Sequence, residues 1–227
     1  MTQINISLSK LIQDIILTTP GIMQSYNTKF HNSKYPLNLI INEILYVLKS
    51  GVSWRDSRSQ IHWNTLFWHF NRLSSFGIFQ KLFNRLRVSY SEKHNLDVKI
   101  VDSTFIMNKF GKDCIARNKF FKNKNCNKVS FVTDINGIPL SVLFNTGNVH
   151  DLSFVNDHID DLIVLTKKYP TKHFSLLADK GYVSRKLKGA LSLKHYNFIY
   201  PRKKNMAPDP TFDKVLYKKR IFVEHSF

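Results

Sequence analysis

Apolar residues recur at helical spacing through the first part of the chain and then, after about Asn95, break into short runs separated by turn chemistry. Leu8, Leu11, Ile12, Ile15 and Ile16 share one face of a short amphipathic helix in the stretch before about Asn32. In YPLNLIINEILYVLKSGVSW, Pro36 suits a first helical turn, Ile40, Ile44, Leu45 and Leu48 repeat at helical spacing, and Gly51 closes the helix. Trp63, Leu66, Phe67, Phe70 and Leu73 form the next stripe before Gly77, and Phe79, Leu82, Phe83 and Leu86 a further one. These stripes predict helices joined by short glycine-containing turns, with Arg55, Arg58, Arg72, Arg85 and Arg87 on polar faces. Such a region fits a helix-turn-helix module or a plain helical bundle with solvated arginines.

Beyond Asn95, VKIVDSTFI reads as a strand. KVSFVTDINGIPLSVLFNTG reads as two strands around the turn Asp134 to Gly137. LIVLTKKYP is helical in pattern, FSLLADKGY is an apolar run ending in a turn, and NFIYP is a short strand. A hairpin followed by helix and strand alternation predicts an α/β domain with a mixed sheet. The expected division is a helical domain over residues 1–95 and an α/β domain over 96–227.

Charge narrows the partners. The 227-residue chain carries 34 Lys and Arg against 16 Asp and Glu, a formal net charge of +18, spread over both halves. A polyanion is the expected partner. No apolar run approaches the roughly 20 residues needed to cross a bilayer, and the amino terminus lacks a signal-peptide layout, so a membrane partner is not expected and the chain reads as intracellular. Cys114 and Cys126 are two cysteines without a zinc-type spacing, which implies reduced thiols rather than a disulfide scaffold or a zinc finger.

The candidate chemistry starts from two aspartates. Asp102 ends the apolar run VKIV and Asp179 ends SLLA, and the carboxyl ends of buried strands are where open α/β sheets place their ligands. Taken singly, either is read equally well as a turn residue or cap. Two carboxylates on neighbouring strands could share a pair of hard divalent cations for in-line phosphoryl transfer. Glu224, on a helical-looking segment behind Tyr217, Lys218 and Arg220, is the candidate third carboxylate.

VDSTFI, ADKGY and YKKRIFVE together resemble the catalytic core of DDE transposases of the bacterial insertion-sequence type, in the insertion-sequence four and five group. The family's D-x-G-[FY] is matched by Asp179, Gly181 and Tyr182. Its Y-x2-R-x3-E-x6-K is matched by Tyr217, Arg220 and Glu224. VSFVTDINGIPLSVLFNTGNVHD and ILYVLKSGVSWRD are also similar to the family, so the likeness covers nearly the whole chain. The resemblance implies an RNase-H-like fold, with Asp102, Asp179 and Glu224 as catalytic metal ligands for two Mg2+ ions, or Mn2+ in their place. It also implies cleavage at transposon terminal inverted repeats and strand transfer into target DNA, by a homo-oligomer on the DNA. Tyr217 and Arg220 become DNA-phosphate contacts or supports of the glutamate helix. The family's lysine beyond the glutamate would fall after Phe227, which leads to the expectation of a truncated product. Two other readings stay open: a catalytically inactive DNA-binding remnant, and an RNase-H-like nuclease without strand transfer. The compartment follows the DNA, cytoplasm or nucleoid in a bacterium and nucleus or viral factory otherwise.

Further basic residues are candidate DNA contacts. Lys112, Arg117, Lys119, Lys122, Lys124 and Lys128 surround Phe120 and Phe121 and could follow a phosphate backbone. Arg202, Lys203 and Lys204 in YPRKKN are read in the same way. His150 and Asp151 are candidates for supporting the acids or touching DNA, and Asp134 is read as a turn residue.

Overall fold

The computed structural model describes residues 2–22, 34–108, 111, 114–119, 122–167, 169–207, 209 and 212–221, with side chains in the first helix from Leu8 onward. The chain divides into two compact units, residues 1–86 and 87–227. Glu224, Lys112, Phe120 and Phe121 lie outside the described residues.

The first unit holds helices α1 (Thr2–Thr18), α2 (Leu37–Ser50), α3 (Trp63–Ser75) and the first part of α4 (Ile78–Lys93). Pro36 sets the entry to α2 with φ −67°, the value its ring imposes, and Gly51 leaves the helix at φ 69°, where any other residue is strained. The core of this unit gathers Ile12, Ile15 and Ile16 of α1 with Ile40, Ile41 and Ile44 of α2, and Leu66 and Leu73 of α3. The stripes run as the sequence implies, with their edges shifted: Leu48 and Leu86 are exposed while Ile41 and Val47 turn inward.

The boundary between units falls inside α4, ahead of the expected one at residue 95. Val88 and Tyr90 pack on the core of the second unit. Arg87 is a correction to the reading of a solvated polar face. Its side chain is 4% exposed and makes a bidentate pair with Asp161, at 2.7 and 2.8 Å, and a third bond to the Leu140 carbonyl at 2.8 Å.

The second unit is a mixed sheet with flanking helices, as expected of an RNase-H-like fold. Its strands are β1 (Val98–Met107), β2 (Ala116–Asn118), β3 (Lys124–Thr133), β4 (Pro139–Thr146), β5 (Phe174–Leu177) and β6 (Tyr196–Ile199). Strand β3 lies antiparallel to β1, and its other edge carries β2 at one end and β4 along the rest. On the far side β1, β5 and β6 run parallel. The β3–β4 turn closes at Gly137, φ 76°, and Asp134 accepts from the backbone amides of Asn136 and Ile138 at 2.8 and 2.9 Å. Helices α5 (Phe154–Thr166) and α6 (Arg185–Leu193) bury Val155, Ile159, Leu162, Leu187 and Leu191 in one core with Val101, Leu176 and Phe198. The short α7 (Lys214–Tyr217) lies on a second small cluster of Ile100, Leu177 and Ile199. No described helix is long and apolar enough to cross a membrane.

Candidate active site

Strands β1 and β5 pair in parallel at Val98 with Ser175, Lys99 with Leu176 and Ile100 with Leu177. Two residues further on stand Asp102, still within β1, and Asp179, just past the end of β5, near enough for the Asp179 charge to act on Asp102. Side chains alternate along a strand, so Asp102 follows Ile100 onto the face where α7 packs, and the charge of Asp179 reaches Arg220 as that of Asp102 does.

The two carboxylates are held differently. Asp102 Oδ1 accepts from the Ser103 amide at 2.8 Å, and Oδ2 accepts from Arg220 Nη1 at 3.1 Å. Burial pushes the Asp102 carboxyl above the usual range; the Ser103 amide and Arg220 oppose this, while the charges of Asp179 and Asp151 add to it. Asp179 Oδ1 accepts from the Gly181 amide at 2.7 Å and so caps the single turn Lys180–Tyr182. Gly181 is what allows this approach: a Cβ there would meet Asp179 Oδ1 at 2.9 Å. The spacing D-x-G therefore has a direct steric reason. Tyr182 is buried beneath the acids; burial and the charges of Asp151, Asp102 and Asp179 push its hydroxyl far up, against a hydrogen bond with Ser103, so it stays protonated.

A third acid supports the first. Ser103 Oγ donates to Asp151, and Lys128 Nζ pairs with the same carboxylate oxygen at 2.7 Å while donating to the Val149 carbonyl at 2.9 Å. Lys128 is thus turned inward, 5% exposed, and leaves the basic cluster in which its neighbours placed it. His150 caps the turn before α5, its Nδ1 accepting from the Leu152 amide at 3.2 Å.

Arg220 and Tyr217 reach the same face. Tyr217 packs on the cluster of Ile100, Leu177 and Ile199 with Phe212, ring centroids 5.1 Å apart. Partial burial disfavours the Arg220 charge, but Asp102, a hydrogen bond with Tyr217 and Asp179 outweigh it and hold the guanidinium protonated. The other basic candidates stand apart from the acids. Arg117, Lys119, Lys122 and Lys124 are exposed around the β2–β3 turn, where Lys122 and Asn123 take φ 53° and 55°. Strand β3 there pairs with Met107, about 17 Å along β1 from Asp102 at roughly 3.4 Å per residue. Arg202 pairs with Asp209 at 3.4 Å, and Lys203 and Lys204 are exposed beside it.

Sequence reasoning missed the polar layer behind Asp102. His158 is fully buried between Ser141, 2.8 Å from Nδ1, and Ser130, 2.9 Å from Nε2. Ser141 Oγ donates to Asp161 at 2.6 Å, and Ser130 Oγ lies 3.3 Å from the Asp102 carbonyl. These residues span two strands and a helix, and no local spacing signals their convergence.

The donors fit a hard cation. Asp102 and Asp179 offer carboxylate oxygens, the charge of Asp179 makes ionised Asp102 more costly, and Arg220 supplies the positive charge facing Asp102. Among the described residues no group of three or more His, Cys, Asp or Glu is close enough to hold a metal. Magnesium, which keeps several waters, needs only one or two protein carboxylates.

Residues 93–227 match the family described as Transposase DDE domain, a span that includes both aspartates, Tyr217 and Arg220. The chain belongs to the DDE-domain transposases. Solved structures similar to this transposase chain include the piggyBac transposase synaptic complex with hairpin DNA, at 11% identity and TM-score 0.40 over 93% of this chain. Two others are the Mos1 transposase paired-end complex with left transposon end and the Mos1 mariner paired-end complex with Mn, both at 13% identity and TM-score 0.32, covering 80% and 85% of this chain. The transposase chain spans 43% of the piggyBac chain and 68% and 76% of the two Mos1 chains. No curated protein matches it in sequence.

Proposed function

We propose that the chain acts in DNA transposition as a transposase of the insertion-sequence four and five type, cutting at transposon ends and joining the freed 3′ hydroxyl to target DNA. The observation that supports this reading is the parallel β1–β5 pairing, which leads into Asp102 from one strand and Asp179 from the other inside the matched transposase domain. Asp102 and Asp179, with Glu224, hold Mg2+ or Mn2+, which supplies Lewis-acid activation of the attacking and leaving oxygens of the phosphodiester. Residues 87–227 form the catalytic domain, and the helices of residues 1–86 recognise the terminal inverted repeats. The working form is a homo-oligomer on DNA.

The chain's own groups have separable tasks. The Ser103 and Gly181 amides fix Oδ1 of each aspartate, Arg220 meets Oδ2 of Asp102, and the carboxylates would face the cation rather than the phosphate itself. Arg220 neutralises Asp102 before substrate arrives and then serves the phosphate oxygens, with Tyr217 anchoring its segment on the sheet. No serine or cysteine nucleophile is required.

Cleavage of a labelled duplex carrying the transposon's own end, in magnesium or manganese, tests this reading. Asp102→Ala and Asp179→Ala should each abolish nicking while leaving duplex binding nearly intact. Retained nicking in either variant overturns the site. Binding without nicking by the parent chain makes it a DNA-binding protein only.

A further inference from the structure

Away from the acidic pair, an open cleft of about 710 Å³ runs along the sheet edge between α6 and β6. His173 marks one end, ahead of β5, and Arg202 the other, just after β6. Arg185 and Lys188 of α6 form one wall. Strand β6 is the outermost strand on this side, next to the β5 strand that leads to Asp179.

Two of the cleft's cations share a single carboxylate. Lys188 Nζ and Arg202 Nη2 share one carboxylate oxygen, Asp209 Oδ2, at 3.5 and 3.4 Å, ion-pair distances at the long limit for a hydrogen bond. Arg202 Nε, buried, has no hydrogen-bond acceptor among the described residues. Arg185 is exposed at the first position of α6. An anionic oxygen set between an ammonium and a guanidinium is the arrangement those two cations would offer to a phosphate oxygen. Asp209 occupies that place from within the chain.

The walls also say which part of a nucleic acid fits. Tyr196 and Phe198 contribute to the lining but are 4% and 0% exposed, so they offer no free ring face on which a base could stack. The four residues of β6 span about 13 Å at roughly 3.3 Å each, about the rise of four nucleotides along one strand of a duplex.

We propose that the α6–β6 cleft is a second DNA-backbone site, binding the phosphates of duplex DNA without reading bases, with Asp209 as an internal phosphate mimic that the backbone displaces. It rests on the reading of this chain as acting on DNA. The site leads a duplex strand along the sheet edge toward the end that carries Asp179. Its binding depends on salt and is indifferent to sequence.

The test uses the full chain and a fluorescent 30-base-pair duplex of random sequence, titrated from 50 to 200 mM salt. Each phosphate contact adds about 0.9 to the slope of log K against log salt. Arg185→Gln with Lys188→Gln, both lining the cleft from α6, should lower affinity and flatten the slope by about 2. Asp209→Asn should do the opposite, tightening binding several-fold and steepening the slope. Asp160→Asn, which frees Lys194 from a surface pair, is the control for net charge alone. Equal tightening by Asp160→Asn and Asp209→Asn overturns the proposal. So does an unchanged slope in the double variant, and there the DNA reading survives if the parent chain still binds. A parent chain that does not bind the duplex at 50 mM salt removes both readings together.

Discussion

Two arginine–aspartate pairs in the second unit are chemically alike and opposite in consequence. Arg87 grips Asp161 with two bonds of 2.7 and 2.8 Å, and its own side chain is 4% exposed. Burial favours the protonated Asp161, but the Arg87 and Ser141 hydrogen bonds outweigh it and the carboxyl ends below the usual range. Arg220 touches Asp102 through one nitrogen at 3.1 Å, both side chains about a fifth exposed. There burial wins, with Asp179 and Asp151 adding to it, and the carboxyl rises. The first pair is a structural clamp whose charges are spent on each other. The second is a carboxylate left short of positive charge, held by an arginine that is only half committed. That shortfall is what a cation-binding site requires, and it is maintained at a cost in stability.

Breaking each pair should separate them most clearly. Arg87→Met strands Asp161 and leaves the Leu140 carbonyl without its donor, and should cost about 3 kcal/mol or more in urea unfolding of the second unit. Arg220→Gln breaks a partly solvated pair and should cost under about 1 kcal/mol. Similar losses for both variants would erase the distinction.

Acid acts next, through the clamp's neighbour. Burial pulls His158 down to about 4, against an opposing pull from Asp161. Ser141 already donates to Asp161, so it accepts from His158 Nδ1–H, and Nε2 accepts from Ser130 as a neutral ring must. An unfolded histidine titrates near 6.5. Below that pH the unfolded chain takes up a proton that the folded one refuses, so stability present above 6.5 is lost as pH falls toward 4, by roughly 3 kcal/mol. Lowered Asp161 loses its contribution in the same direction at lower pH. His158→Gln should flatten the profile between 6.5 and 4; an unchanged profile would place the acid sensitivity elsewhere.

The smallest effect belongs to the site itself. A raised carboxyl opposes folding once pH is above its folded value, because the unfolded chain ionises more easily. Asp102→Asn should therefore raise the melting temperature at neutral pH. Magnesium should raise the melting temperature of the parent chain by ligand linkage and leave an Asp102→Asn, Asp179→Asn double variant unmoved. A shift that survives the double variant would put the ion elsewhere.

The two pairs also differ in how far local spacing reveals them. Asp102 and Asp179 stand at the ends of apolar runs, and the hairpin around Gly137 is announced by its turn residues. The helix from Leu37 to Ser50 has its proline and glycine in place. Those features depend on near neighbours. Arg87 sits among helical residues whose polar face reads as solvated, yet its partner is 74 positions away. Lys128 looks like part of a lysine-rich surface until strand alternation turns it inward with Cys126 and Ser130. Arg220 meets Asp102 across 118 positions, through a register that only the folded sheet defines. Long-range pairing, rather than composition, decides which charges stabilise the fold and which remain available.

That register also sets what lengths of chain the site tolerates. Between Asp102 and Asp179 lie three further strands, a helix and their loops, and the loops can grow or shrink as long as β1 keeps its pairing with β3 and β5. One residue added between Val98 and Asp102 is different, since it would turn Asp102 to the opposite face of the sheet. Divergence in this transposase should therefore collect as insertions in the connecting segments, while the few residues leading into each aspartate stay fixed in number.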